Sequence, residues 1–159
     1  MPIDKRSGKI ALVAHCLLNQ NSRAEGLAQR SSIINEIAEF LIRREIGIIQ
    51  MPCPELAYAG VRRQPQTREQ YNNAKFRNCC RKMAEEIANL VQEYANSEVK
   101  LKIVLGVEGS PSCSVNEISG IFIEELRSKL DKRKISAPFY GISLERIKDD
   151  IIELEKLVK

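Results

Sequence analysis

The sequence lacks several features that enzymes and nucleotide-binding domains often use: it has one histidine in 159 residues and no glycine-rich GxGxxG or Walker A motif. The single imidazole, on His15, excludes zinc sites rich in histidine and leaves a serine-histidine-aspartate apparatus with one candidate base. The missing glycine motifs disfavour a nucleotide-binding module. Any chemistry in this chain must therefore rest mainly on other residue types.

Long apolar runs and blocks of one charge are also missing. No segment approaches the about 20 apolar residues that cross a bilayer, and the first residues lack the apolar core of a signal peptide. The 25 Lys+Arg and 21 Asp+Glu are spread along the chain, and the basic run at 132–134 suits a helix C-terminus. We expect a cytoplasmic protein with no membrane or nucleic-acid partner, folded as one domain over residues 1–159.

Four short apolar runs predict β-strands at 9–14, 46–51, 101–107 and 138–142. Helical spacing predicts helices that begin near residues 31, 67, 119 and 143, with a capping box formed by Thr67 and Gln70. Segments 16–29 and 53–65 are predicted to be irregular loops. The alternation, without hairpin signals, predicts an α/β fold: a doubly wound, Rossmann- or flavodoxin-like sheet of four parallel strands in the order 2-1-3-4, with helices on both faces.

Three of the five cysteines directly follow predicted strands: Cys16 after the first, Cys53 after the second and Cys113 after the third. In a sheet of order 2-1-3-4 these strands are neighbours, so the three loops emerge side by side at the carboxyl edge, where ligands bind. Clustered thiols in a reducing compartment indicate metal binding or catalysis more often than disulfides. Cys79 and Cys80 lie on a predicted helix and are interpreted as packing residues.

Three thiolates without a fourth suit a metal centre that keeps one position open. Iron–sulfur clusters are held by cysteine thiolates, and a four-iron cluster bound by three of them leaves one iron free for a substrate atom. Zinc bound by three sulfurs is the direct competitor, because soft thiolates also select zinc. The wide spacing of the three cysteines does not separate these alternatives.

The three loops resemble the thiouracil desulfidase family over nearly the whole chain and in the same order. The elements that carry the resemblance are Cys16-Leu17-Leu18 with Arg23 and Gly26 downstream, Cys53-Pro54-Glu55 followed by Gly60 and Arg62 or Arg63, and Ser110-Pro111-Ser112-Cys113. The resemblance implies a non-redox enzyme that removes sulfur from a thiolated base such as 2-thiouracil. It also implies a 4Fe-4S cluster with Cys16, Cys53 and Cys113 as ligands, and makes zinc the less favoured occupant.

Four further residues are candidates for this chemistry. Glu55, two residues beyond a ligand, is the expected base that activates water. Ser110 is expected to relay a proton or to orient the base. Ser112 is expected on the substrate side, with its hydroxyl donating to a cluster sulfur, and Arg23 is expected to counter charge on the substrate.

Two alternatives to a thiouracil enzyme stay open. The chain departs from the family pattern at Asn19, at the segment Ala24-Glu25-Gly26 and at Ser114, so we expect a desulfidase-like branch whose substrate is a thiolated base or a related small thiocarbonyl compound. A different class of function is an iron–sulfur or zinc carrier or sensor that binds sulfide or metal without catalysis. Substitution of Glu55 distinguishes the two classes, because only an enzyme needs the base.

Overall fold

The computed structural model describes residues 3–116 and 118–159. The strands in these ranges are β1 (Lys9–Val13), β2 (Gly47–Gln50), β3 (Lys100–Val107) and β4 (Phe139–Ile142). Neighbouring strands run parallel, in the order β2-β1-β3-β4. The predicted α/β fold and strand order are confirmed.

Helices flank this sheet. Within the described ranges they are α1 (His15–Leu18), α2 (Asn35–Arg43), α3 (Pro54–Ala59), α4 (Arg68–Tyr71), α5 (Ala74–Asn96), α6 (Ile121–Lys132) and α7 (Ile147–Leu157), with 3-10 turns at Gln20–Ser22 and Leu144–Arg146. Helix α5 packs against α6, and α2 packs against α7. Among the residues described, no helix is both long enough and apolar enough to cross a membrane.

The central strands β1 and β3 form the middle of the core. Residues 11–13 and 103–105 are fully buried, as expected for parallel strands that are covered on both faces. Strand β2 lies at the edge of the sheet and is exposed along most of its length. Because β2, β1 and β3 are adjacent and parallel, the loops that follow them emerge at one edge of the sheet, which we call the carboxyl edge.

At the opposite, amino edge, three turns from helix to strand share one backbone design. Helices α2, α5 and α6 are each followed by a non-glycine residue in the left-handed region: Glu45, Glu98 and Lys134, with φ of 57°, 63° and 57°. The residue after each of these donates its N–H to the carbonyl five positions earlier. This is the Schellman arrangement, which satisfies the last carbonyls of a helix.

Two segments predicted as irregular loops contain short helices. The segment after β1 holds α1 and the first 3-10 turn, and the segment after β2 holds α3, which begins directly after Cys53 and ends at Gly60. These helices are four and six residues long. The apolar periodicity of a helix does not show over so few residues, so the prediction missed them.

Two of the predicted helices are corrected. The first helix begins at Asn35 rather than near residue 31. The capping box of Thr67 and Gln70 is present, but the helix that it begins is α4, which ends at Tyr71. Asn73 then begins α5 by accepting a hydrogen bond from the Phe76 N–H at 2.8 Å. A polar pair at 72–73 therefore divides the long helix predicted to reach residue 95.

The last helix also starts differently from the prediction. Ser143 makes no side-chain cap and is followed by the 3-10 turn that leads into α7. Its N–H instead donates to the buried carboxylate of Asp150 at 2.7 Å, which also accepts from the Tyr140 hydroxyl at 2.6 Å. A carboxylate from within α7 thus binds the chain at residue 143, where a serine cap was predicted.

Candidate active site

The loop after β1 holds Cys16 in α1, and a buried amide organises this loop. Gln20 is 1% exposed, and its Nε2 donates to the Cys16 carbonyl at 2.9 Å. Its Oε1 accepts from the N–H of Gln29 at 2.9 Å and of Arg30 at 3.3 Å. His15 contributes through Nδ1, which lies 3.1 Å from the Met51 carbonyl. No pattern in the sequence indicates the role of Gln20, because it is a single glutamine in a polar loop.

The loop after β2 uses Cys53 as the N-cap of α3. The Cys53 Sγ accepts a hydrogen bond from the Leu56 N–H at 3.4 Å. Pro54 stands at the first helical position, where the missing N–H costs nothing. Gly60 ends the helix with φ of 88°, in the region that favours glycine. A proline and a glycine six residues apart were the available signal for this helix.

The loop after β3 is a tight turn built around Ser110. The Ser110 Oγ accepts from the N–H groups of Cys113 at 3.0 Å and Ser112 at 3.3 Å. Two glycines let the turn pack closely against its surroundings: a Cβ on Gly106 would overlap the Cys113 carbonyl, and a Cβ on Gly120 would overlap the Ser112 carbonyl. The backbone at Cys113 is therefore fixed on two sides.

Glu108 fixes the far side of the same loop. Its carboxylate accepts from the Ser114 Oγ at 3.2 Å and from the Val115 N–H at 3.0 Å. The side chain also lies over Gly141, where a Cβ would overlap it. Ser114, which departs from the family pattern, is thus a buried partner of Glu108.

All seven residues predicted for the site line one cavity at the carboxyl edge. Its volume is about 240 Å³, below the range of roughly 300–1,000 Å³ that is common for drug-sized ligands, so it suits a small occupant. The predicted residues in its lining are Cys16, Arg23, Cys53, Glu55, Ser110, Ser112 and Cys113. His15 and Arg63 line it as well, whereas Cys79 and Cys80 do not contribute to it.

The Glu55 carboxylate has a partner near each oxygen, and the residue is 8% exposed. Its Oε2 accepts a short hydrogen bond, 2.5 Å, from the Ser112 Oγ, and the Ser110 Oγ lies 3.4 Å from the same oxygen. Its Oε1 lies 3.7 Å from the Nε of Arg63. The structure thus joins a residue of the second loop to two residues of the third.

Burial dominates the chemistry of the three thiols. It raises the pKa of Cys53 to about 11, and it raises the pKa of Cys16 and, well above its ordinary value, that of Cys113. Arg23 opposes the rise in pKa at Cys16, because its Nη1 lies 3.9 Å from the sulfur. Without a metal the three thiols therefore stay protonated at neutral pH.

Buried polar atoms without a partner gather at this site. Over residues 3–116 and 118–159, those left without a hydrogen bond are the Nε of Arg23, the Nε of Arg63 and the hydroxyl of Tyr71. Both arginines line the cavity. Buried donors are normally paired with protein, water or ligand, so this pattern indicates an occupant of the cavity.

A site for a single metal ion would need three ligand side chains close together. In the part of the chain that the structure describes, no three side chains of His, Cys, Asp or Glu are placed to hold one metal ion. Of the two cysteines outside the cavity, Cys80 is fully buried in α5, and burial raises its pKa to about 12.

The same region of the chain is matched by known proteins. A family model described as "Putative 2-thiouracil desulfurase" matches residues 8–156, which contain all three cysteine loops. An uncharacterized protein of Methanocaldococcus jannaschii is 37% identical over 153 residues, or 95% of this chain and 97% of that relative. No solved structure matches the chain.

Proposed function

Because the chain belongs to the 2-thiouracil desulfurase family, we propose that it is a desulfidase acting on a thiolated base or a related small thiocarbonyl compound. The reaction replaces the sulfur of C=S with the oxygen of water and releases hydrogen sulfide, so no atom changes its net oxidation state. The observation that carries this proposal is the cavity that joins three thiols to a buried carboxylate.

The proposed cofactor is a 4Fe-4S cluster held by Cys16, Cys53 and Cys113. These three thiolates would bind three of its irons and leave the fourth open to a substrate atom. A zinc ion bound by the same three sulfurs is the competing occupant. When bound, the cluster would supply a Lewis-acidic iron that polarises the thiocarbonyl. Sulfur donors around one small cavity support this choice.

The proposed base is Glu55, and its contacts suggest how it works. The Ser112 hydroxyl has one proton, and the Glu55 Oε2 at 2.5 Å is a better acceptor for it than the Cys113 Sγ at 3.6 Å. This contact favours Ser112 as a holder of the base over a donor to sulfur. With Oε2 occupied in this way, Oε1 is the oxygen that accepts a proton from the attacking water.

Ser110 fits an orienting role better than a relay. A hydroxyl has one proton and two acceptor sites, and the Ser110 Oγ already accepts from two backbone N–H groups. Its proton is thus left to donate to the Glu55 Oε2 at 3.4 Å or to the Ser112 Oγ at 3.3 Å, and either bond supports the base. Arg23 lies next to the Cys16 sulfur, so its charge is placed to offset negative charge of the loaded site or of the substrate.

The experiment is to follow 2-thiouracil and the sulfide released from it after anaerobic reconstitution of the protein with iron and sulfide. Wild-type protein should convert the substrate to uracil, and Glu55→Gln should lower kcat by about 100-fold or more, within the range of general-base catalysis. Glu25→Gln, an exposed carboxylate in the loop after β1, is the matched control and should keep full activity.

A carrier or sensor predicts a different outcome. In that case neither protein releases sulfide catalytically, and Glu55→Gln binds sulfide and metal as the wild type does. That result would reject the enzyme while leaving the thiol site in place.

A further inference from the structure

Two adjacent arginines in the loop after α3 have opposite environments. The side chain of Arg62 is 90% exposed and faces Glu25 at 3.6 Å, whereas the side chain of Arg63 is 6% exposed. Burying a guanidinium is costly unless its charge and its donors find partners. The contacts of Arg63 therefore indicate what its burial achieves.

Arg63 ties the loop after β1 to the loop after β2. Its Nη2 donates to the Ser22 carbonyl at 2.8 Å, and its Nη1 donates to the Gly60 carbonyl at 3.0 Å. The Arg63 carbonyl in turn accepts from the Glu25 N–H at 2.9 Å. Ser22 and Glu25 flank Arg23, so this one residue fixes the loop that carries Arg23 to the loop that carries the base.

The Nε edge of the same guanidinium is turned to Glu55. Its Nε lies 3.7 Å from the Glu55 Oε1. Tyr71, which is 1% exposed, lies close to this pair: burial raises the pKa of Tyr71, the charge of Glu55 adds to that rise, and Arg63 opposes it. Tyr71 packs edge-on against Tyr58 and at a tilt against Phe76, so an aromatic cluster adjoins the ion pair.

We propose that Arg63 is a positioning residue for the reaction, an inference that rests on the proposed function. The terminal torsion of a glutamate is soft, so a carboxylate held at one oxygen can rotate. Ser112 holds Oε2 by a hydrogen bond, and the buried charge of Arg63, 3.7 Å away, attracts Oε1 from the other side. With Oε2 bonded and Oε1 attracted in this way, the proton-accepting oxygen keeps one direction toward the attacking water.

Arg63→Lys tests this role, with Arg62→Lys as the matched control. Lysine keeps the charge but cannot bridge Ser22, Gly60 and Glu55 at once. Arg63→Lys should lower kcat for 2-thiouracil by about 100-fold, the effect of a misplaced catalytic group, while KM stays within about threefold. Iron content and the visible spectrum should match those of the wild type. Arg62→Lys should behave as the wild type throughout.

Combining Arg63→Lys with Glu55→Gln separates positioning from a general structural role. If Arg63 acts through the base, Arg63→Lys has no further effect on kcat once Glu55 is Gln. A further loss in that background, or loss of iron in parallel with activity, would overturn the proposal. So would a kcat for Arg63→Lys equal to that of the wild type.

A second measurement does not depend on turnover. In urea unfolding of the metal-free protein, the effects of Arg63→Met and Glu55→Gln should be coupled by about tenfold in the equilibrium constant, as for a buried ion pair. Coupling below twofold would overturn the contact on which the proposal rests. Wild-type protein that binds iron but leaves 2-thiouracil unchanged would reject the proposed reaction and leave this coupling unaffected.

Discussion

At the amino edge of the sheet three turns repeat one backbone arrangement. At the carboxyl edge, in contrast, each of three loops is held by a different set of contacts. After α2, α5 and α6 the closing hydrogen bonds, from Ile46 to Leu41, Val99 to Tyr94 and Ile135 to Leu130, measure 2.9, 2.9 and 3.0 Å. All of these bonds are backbone to backbone. The amino edge therefore needs little from its side chains beyond an apolar residue after each turn.

The loops at the carboxyl edge depend on buried polar side chains instead. Gln20 holds the loop of Cys16, Arg63 joins the first loop to the second, and Glu108 holds the loop of Cys113. Each of these three contacts differs in kind from the other two. Repeated local turns therefore position the strands, whereas individual side chains position the site. Loss of one of these side chains leaves a buried partner unsatisfied.

The largest expected difference between the edges comes from adding one methyl group at each. At the carboxyl edge, a Cβ on Gly120 would overlap backbone atoms of Ser112 and Cys113. Gly120→Ala should lower the free energy of unfolding by about 3 kcal/mol, at the upper end of overpacking effects, and should reduce iron binding. Urea unfolding and iron analysis measure both effects.

Gly47→Ala is the matched change at the amino edge. Its Cβ would meet the Lys9 carbonyl oxygen at 3.6 Å and an Ile10 methyl at 3.8 Å, which are ordinary contacts. The free energy of unfolding should change by no more than about 0.5 kcal/mol. Equal losses for the two variants would break the contrast between the edges.

Gln20→Ala should have an intermediate effect. It leaves the Cys16 carbonyl and the N–H groups of Gln29 and Arg30 without their partner, which should cost about 2 kcal/mol of unfolding free energy. The control is Gln29→Ala, an exposed side chain of the same loop, which should unfold as the wild type does. Thermal or urea unfolding measures the stability of both variants. If Gln20→Ala were as stable as Gln29→Ala, the buried amide would not be what holds the loop.

The smallest expected effect has the opposite sign and belongs to the amino edge. Glu98 has φ of 63°, a conformation that costs a non-glycine residue roughly 1–2 kcal/mol. Glycine removes this strain but adds about 0.5–1 kcal/mol of chain entropy to the unfolded state. Glu98→Gly should therefore stabilise the protein by about 0.5–1 kcal/mol without changing iron binding.

Glu93→Gly, five residues earlier within α5, should instead destabilise by about 1 kcal/mol, because glycine is unfavourable in a helix interior. Calorimetry of the two variants gives both signs in one comparison. Destabilisation by Glu98→Gly would contradict the strain assigned to this turn.

The contrast between the edges also explains which parts of the fold and of the site could be predicted from the sequence. Strand order and the meeting of the three cysteine loops follow from short apolar runs and from the handedness of crossovers, so these were predictable. The division between α4 and α5 had a local sign as well, since Asn73 is a preferred helix N-cap. The capping box of Thr67 and Gln70 concealed it, because that box already predicts a start for the whole helix.

The contacts of Arg63 and Ser112 were less predictable, because their partners lie far away along the chain. Arg63 and the Ser22 carbonyl are 41 positions apart, and Ser112 and Glu55 are 57 apart. Nothing in the residues next to Arg63 distinguishes it from the exposed Arg62. Only the packing of two loops against each other decides which of the two arginines is buried.

The most direct test of the central claim is the iron content of anaerobically reconstituted protein, measured for single Cys→Ser variants. We expect about 4 iron atoms per chain in the wild type and in Cys80→Ser, the count that this cluster type requires. Cys16→Ser, Cys53→Ser and Cys113→Ser should each lose most of that iron and the brown colour. A colourless wild-type protein that takes up only zinc, or an equal loss of iron in Cys80→Ser, would contradict the claim.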